Sequence, residues 1–320
     1  MEQIKDISII FSGIILEAIP FLLFGSLIAS FIEIFISSDK IVKIIPKNKI
    51  LATLSGIFLG FLIPVCDCAV IPVAKKLLKK GVGINVGITF MLASPIINPI
   101  VLFSTYYAFS SVNMSLFWYR LLGGIFISMF VGIVLSIVYK KDILLEKSIE
   151  SSEQECGCGH NHEHHGNEKH HEYHMNHNND EKSSRLKIIL NKIVSILDHT
   201  TKEFLGVFKF LIIGALIASI VQVILPQSIW NYFSNNSLAS VIILMIFAYL
   251  ISLCSTSDSF LGKSLFANFG EQAVLAFLIL GPMIDIKNTI ILLGNFKKKF
   301  VFSLIAIIFI FVLIYVLGVM

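Results

Sequence analysis

Two thiols flank a carboxylate at Cys66-Asp67-Cys68, and Pro64 and Pro72 bracket the three. On a continuous helix, residues two apart point about 200° away from each other, so both thiols reach one ligand only where the backbone unwinds. A proline inside a helix costs about 3 kcal/mol, which predicts an unwound stretch over 64–68. Asp67 then reads as the N-cap of a short helix 69–79, whose dipole places positive potential near both thiols. Either cysteine alone would read as a small buried hydrophobe, and Asp67 as no more than a cap. Together, in a polar break, they point to a site for a thiol-seeking ligand.

Further along, SLCSTSDSF at 252–260 offers Cys254, Ser255, Thr256, Ser257 and Asp258, with Ser257 or Asp258 as the N-cap of a helix 259–269. Capping and ligand contact are both open to them. A third pair of breaks reads ASPIINPI at 93–100 and GPMIDIKNT at 281–289. Pro95 and Pro99 free backbone carbonyls, Ser94 and Asn98 are placed to face a cavity, and Asp285 and Lys287 follow Pro282. One charge at the centre of a membrane helix costs about 3 kcal/mol on insertion scales, so these charges should pair or line water. A lysine near a helix end can snorkel, which makes Lys287 the weaker candidate of the two. Asp285 reads either as a proton-coupling carboxylate or as a partner of Lys287. The candidate substrate-binding set is therefore Cys66, Asp67, Cys68, Ser94, Pro95, Asn98, Cys254, Ser257, Asp258, Pro282 and Asp285.

A different chemistry sits mid-chain. Cys156, Cys158, His160, His162, His164, His165, His170, His171, His174 and His177 crowd a segment almost free of aliphatic residues. Such a tract cannot form a packed core and is expected to be disordered unless metal-bound. Thiolate and imidazole suit Zn, Cu or Ni, held loosely; an inert linker is the alternative. No cofactor is required elsewhere, and no catalytic constellation marks the chain as an enzyme.

The elements that must position these groups are membrane helices. With 56% hydrophobic and 14% charged residues in 320, the chain has more apolar surface than one water-soluble core can bury. A spanning helix needs about 20 apolar residues. Windows 8–36, 84–109, 115–139, 203–225, 271–295 and 300–318 qualify, and 49–65 and 238–253 are short. The first window lacks an A-x-A-like cleavage site and reads as retained. A run with helical spacing at 185–204 reads as an amphipathic helix on the cytoplasmic face. The net charge of +4 suits loops facing anionic lipid and gives no case for nucleic acid.

Landmarks recur at near-constant offset: Gly25-Ser-Leu-Ile-Ala-Ser30 against Gly214-Ala-Leu-Ile-Ala-Ser219, Cys66 against Cys254, and Ser94-Pro95 with Asn98 against Gly281-Pro282 with Asp285. The chain thus reads as two related halves, 1–140 and 186–320, joined by the polar stretch 141–185. Lysines gather at 40–49, 75–80, in the central stretch and at 297–299, and are absent from 110–114 and 226–237. Placing all rich loops in the cytoplasm gives each half an odd number of crossings or partial crossings, so the halves are inverted. The expected architecture is all-α, with about eight full transmembrane helices plus two short or re-entrant segments. Eight plain helices in parallel repeats are the alternative.

FLIPVCDCAVIPVAKKLLKKG with LASPIINPIV, and SLCSTSDSF with GPMIDIKNTIILLGNFKKKFV, resemble the YraQ/ArsP family of predicted bacterial permeases across both apolar halves. The resemblance implies a multi-pass plasma-membrane permease, and one branch of the family exports trivalent organoarsenicals. Its motif falls on Cys66, Asp67, Cys68, Pro95, Asn98, Cys254, Asp258, Pro282 and Asp285; the histidine-rich stretch is not carried over. Secondary-active export of a thiophilic small solute, an organoarsenical or soft metal species, is the expected function, since no P-loop is present for ATP coupling. The alternatives are a membrane thiol oxidoreductase and a permease for a non-thiophilic solute. Expected partners are the substrate and membrane lipid, with a homo-oligomer left open.

Overall fold

Apolar segments in lipid must satisfy their backbone amides internally, and helices do so. The computed structural model describes residues 2–35, 46, 48–63, 65–139, 143–144, 180–224 and 237–319. Among them it is helical almost throughout, with one isolated bridge between Leu144 and Phe296. The helices are α1 (Glu2–Phe35), α2 (Lys49–Leu62), α3 (Asp67–Lys79), α4 (Ile84–Ile97), α5 (Pro99–Phe109), α6 (Met114–Val138), α7 (Asp180–Ile224), α8 (Ser237–Ile251), α9 (Ser255–Met283), α10 (Ile286–Asn295) and α11 (Lys298–Val319). Six helical stretches are long and apolar enough to cross a membrane, and α2 and α8 are shorter apolar helices. The protein is an all-α polytopic membrane protein.

At 1.5 Å per residue, α2 and α8 reach only about 21 Å, short of the roughly 30 Å hydrocarbon core. Each is too short to span by itself and is followed in the chain by a further helix, α3 and the first part of α9. A left-handed turn at Gly270, with φ 75°, divides α9 into 255–269 and 271–283. Both halves of the chain therefore present one order of elements: a long helix, a short apolar helix, a break, a short helix, a helix ending in a second break, a helix, and an outer helix.

The interrupted segments are the buried ones. In the most apolar part of Ile84–Phe109 78% of residues are buried, and in that of Phe269–Asn295 89%, against 17% in Ile4–Phe31. Broken backbone is tolerated at membrane depth where protein surrounds it, and here α1, α2, α6, α7, α8 and α11 surround it. The duplicated glycines let two outer helices approach closely. A Cβ on Gly25 would fall 2.5 Å from Ala69 Cβ in α3, and one on Gly214 would fall 3.0 Å from Lys287 Cα in α10. The outer pair α1 and α7 also pack on each other.

Contacts sort the loops into two ends. Lys75 Nζ donates to Asn295 Oδ1 at 3.1 Å, Lys76 pairs with Glu203 at 3.3 Å, Asn85 Nδ2 donates to the Lys49 carbonyl at 3.3 Å, and Tyr139 OH donates to the Lys299 carbonyl at 3.2 Å. Residues 49, 75–80, 139, 143–144, 203 and 295–299 thus share one end. At the other end, Lys263 Nζ donates to Ser111 Oγ at 3.4 Å.

Three expectations about elements change. The run 185–204 is not a separate surface helix but part of α7, which continues from Asp180 into the crossing segment. Pro72 and Pro95 lie inside α3 and α4, so those helices extend through them, and the breaks fall between the end of α2 at Leu62 and the start of α3 at Asp67, and at Asn98. The helix expected from 259 begins at Ser255. Lys40, Lys43, Lys47, Pro64, residues 225–236, and the central Cys/His-rich stretch with every candidate metal ligand on it lie outside the described residues.

Candidate functional site

Two unwound turns meet at the centre of the bundle. Before α3, Cys66 is extended and is the N-cap, with ψ 172°; before α9, Cys254 is the N-cap with ψ 144°. Neither cysteine makes a side-chain capping bond. Ser252 holds a left-handed conformation, φ 53°, which is uncommon for a residue with a Cβ and marks a constrained turn. One cavity, of about 30 Å³, is lined by Cys66, Asp67, Cys68, Ser252, Leu253, Cys254 and Lys287, and by Ile14, Glu17, Ala18 and Phe21 of α1. All three cysteines are free and buried. Thr256 Oγ1 lies 3.6 Å from Cys254 Sγ as a donor.

Asp67 is not the N-cap expected of it. It is the first helical residue of α3, and its carboxylate turns to α10: Lys287 Nζ lies 3.4 Å from Asp67 Oδ2, and Asn288 Nδ2 donates to the same oxygen at 3.2 Å. Lys287 does not snorkel. It is 4% exposed and stands between Asp67 and Asp285, whose Oδ2 is 3.6 Å away. Asp285 is the N-cap of α10, accepting from Asn288 N at 2.5 Å. Taking these ions out of water is repaid only by such mutual pairing. One cation between two carboxylates leaves the cluster net negative when all are ionised, and Asp285 Oδ2 and Asn288 Oδ1 have no hydrogen-bond donor.

A second cavity lies behind the first and joins the proline breaks. Pro95 and Pro282 line it together with Asp67, Val70, Ile71, Met91, Met283, Asn288 and Leu292. Ser94 and Asn98 line neither cavity, against expectation. Ser94 Oγ donates to the carbonyls of Gly60 and Ile63, at 3.4 and 3.5 Å, where α2 ends. Asn98 accepts from Ile100 N at 3.0 Å as the N-cap of α5. Its repeat mate Asp285 does the same for α10. Ser257, half-buried, and Asp258, buried, sit in the first turn of α9 and cap nothing; neither lines these cavities.

Sequence reading missed three groups. Glu17, an acidic residue in an apolar run, lines the thiol cavity. Asn288 binds Asp67. Arg120 is the single charge of α6 and is 1% exposed; its Nη1 donates to Thr105 Oγ1 at 2.5 Å and Ser259 Oγ at 2.7 Å, and its Nη2 to the Ser255 carbonyl at 3.3 Å. An isolated charge in an apolar 25-residue helix was the available signal for it. Among the described residues no group of three or more His, Cys, Asp or Glu side chains is arranged to hold a metal ion.

Interrupted helices, buried within a ring of membrane helices and bringing charge and thiols to their meeting point, define a membrane permease. The chain belongs to the ArsP_1 family of predicted permeases, whose family model matches residues 3–319. It is 38% identical over 306 residues to the UPF0718 protein YcgR of Bacillus subtilis, covering 95% of this chain and 93% of that one. A Streptococcus mutans protein, named with reservation as a two-component membrane permease complex subunit, is 35% identical over 313 residues, 97% of this chain and 94% of its own. The UPF0718 protein MJ0584 of Methanocaldococcus jannaschii is 26% identical over 121 residues, 37% of this chain and 32% of its own. No solved structure matches the chain.

Proposed function

We propose that the protein is a secondary-active permease of the bacterial plasma membrane that exports a thiophilic small solute, of the class of trivalent organoarsenicals, through the cavity lined by Cys66, Cys68 and Cys254. The observation that carries this reading is the presence of three free, buried thiols, from breaks 188 residues apart, around one cavity. Soft acceptors select thiolate ligands over oxygen. The Asp67–Lys287–Asp285 cluster beside the thiols supplies fixed charge where a solute is released or exchanged. Such a protein is not an enzyme: the solute crosses without a change of covalent product.

Inverted halves give the mechanism its geometry. What supports them is the direction of two corresponding helices. α3 runs from its break to the end that carries Lys75, Asn295 and Lys299, whereas residues 255–269 of α9 run from theirs to the end that carries Ser111. Inverted repeats with discontinuous helices meeting at mid-membrane allow one half to rock against the other about a fixed site. The lysine-bearing end is the cytoplasmic one by its charge.

The test is export of phenylarsine oxide from proteoliposomes holding the full chain. Cys66→Ser and Cys68→Ser should each abolish export without lowering the amount of protein in the membrane, and Cys156→Ser with Cys158→Ser should leave it intact. Full export by the Cys66→Ser, Cys68→Ser double variant would make the cysteines packing residues and turn the search to non-thiophilic solutes.

A further inference from the structure

The second buried cation stands beside a carboxyl group that the thiol cavity does not use. Asp258 is 2% exposed, and its Oδ2 has no hydrogen-bond partner. Arg120, 1% exposed, has no acceptor for its Nε. The two interact electrostatically, and Asp258 adjoins Ser259, which Arg120 binds. Among the described residues no ion pair joins them within 4.0 Å. A buried donor and a buried acceptor of opposite charge, both unmet and in one neighbourhood, are an arrangement that an ionised carboxylate would not leave open. An uncompensated buried carboxylate is the costly member, and adding a proton removes its charge. Arg120 meanwhile spends its Nη groups on Thr105, Ser259 and the Ser255 carbonyl, neutral acceptors that leave its own charge intact.

We propose that Asp258 is a proton-binding site of the permease, switched between two states by Arg120. With the proton on its carboxyl, Arg120 clamps α5 to the first turn of α9, as observed. Without it, the carboxylate draws the guanidinium, whose Nε is free to donate, and the hydroxyl clamp on Thr105 and Ser259 is given up. The route to the thiol cavity is short. Arg120 Nη2 holds the carbonyl of Ser255, the residue after Cys254, and Asp258 accepts the helix on its other side: a Cβ on Gly281, beside Pro282, would fall 2.9 Å from Asp258 Oδ2. The other charges acting on Asp258 are Asp67 from α3 and Asp285 and Lys287 from α10. Asp67 and Lys287 also line the thiol cavity, so the charge state of that cavity and that of Asp258 are linked.

This inference rests on the permease reading but not on its substrate, and it is tested without one. Infrared difference spectra of the full chain in lipid, recorded across a pH titration, should contain the carbonyl-stretch band of a buried protonated carboxylic acid that is lost in Asp258→Asn. Thr105→Val with Ser259→Ala removes both competing hydroxyl acceptors, keeps the Ser255 carbonyl, and leaves Asp258 in place. In that variant Arg120 should pair with the carboxylate, and the band should vanish at neutral pH. If Asp258→Asn does not accumulate folded, the hydroxyl variant decides alone. Spectra of wild type and Asp258→Asn that coincide at every pH, or a band untouched by removal of both hydroxyls, would overturn the proposal while leaving the thiol reading standing.

Discussion

Lys287 is the residue on which the centre of the molecule depends most. It sits 3.4 Å from Asp67 and 3.6 Å from Asp285, longer than the 2.7–2.9 Å of a tight charge-assisted bond, so it serves two carboxylates and saturates neither. Removing one member of a buried pair costs about 3–5 kcal/mol, because the charge left behind is uncompensated. Lys287→Met should therefore lower the apparent melting temperature of the detergent-solubilised protein sharply, and Asp67→Asn added to it should recover part of the loss. A double variant no more stable than Lys287→Met would show that Asp67 is neutral in the folded protein. Charges of this kind were only partly legible in the sequence. Asp285 with Lys287 was visible as a contact two residues apart, but the partner in α3 lies more than 200 residues away in the chain, and no local pattern marks it. Cys66-Asp67-Cys68 and Cys254 were readable because their break and their chemistry coincide within a few residues. Arg120 and Glu17 lacked such a coincidence, each being a single charge in an unbroken apolar run.

Between elements, small residues decide which helices support the site. α1 rests on α3 at Gly25, where an added methyl would overlap Ala69, while Gly206 in α7 faces open space. Overpacking costs about 1–3 kcal/mol, and a helical glycine replaced by alanine gains up to about 1 kcal/mol where nothing is in the way. Gly25→Ala should thus destabilise the protein and Gly206→Ala should leave it unchanged or slightly more stable, as read by thermal aggregation in detergent; equal effects would mean that α1 is not fixed on α3. The paired GSLIAS and GALIAS segments were visible as a repeat, and their use as close-approach surfaces follows from their small residues. Less legible was where the helices break. Prolines drew attention to 64–72 and 95–99, yet α3 and α4 run on through Pro72 and Pro95. The turns fall instead where a capping side chain or a neighbour takes up the freed backbone groups: Asn98 and Asp285 as N-caps, and Ser94 on the carbonyls at the end of α2.

Among the described residues the lysines at 49, 75–80 and 297–299 lie at one end of the molecule, and the fold class was legible because lipid leaves a chain so few choices. Single cysteines introduced at 112 and at 298 should label from opposite faces of the membrane with an impermeant maleimide, 112 from outside. Labelling of both from one face would sink the inverted arrangement. The central Cys/His-rich stretch is a separate matter: we propose that it binds Zn, Cu or Ni, and deleting 153–180 should reduce metal retention yet leave membrane insertion intact, as measured by metal analysis of the purified protein. A deletion that retains as much metal would remove that role.

The buried charges are not duplicated with the halves. At the repeat offsets, Lys287 corresponds to Ile100, Arg120 to Ile307 and Asp67 to Ser255, so Lys287 of the second half serves Asp67 of the first, and Arg120 of the first half holds Ser255 and Ser259 of the second. During synthesis, Asp67 enters the membrane with neither its counterion Lys287 nor its hydrogen-bond donor Asn288, the latter following 221 residues later. At about 5–20 residues per second that interval is roughly 10–45 s. A ribosome that stops between the halves leaves behind an orphan with an unneutralised acid in the bilayer. Such fragments should be short-lived substrates for membrane proteases in pulse–chase experiments, and supplying the second half as a separate polypeptide should protect them, making each half in effect a dedicated chaperone for the other.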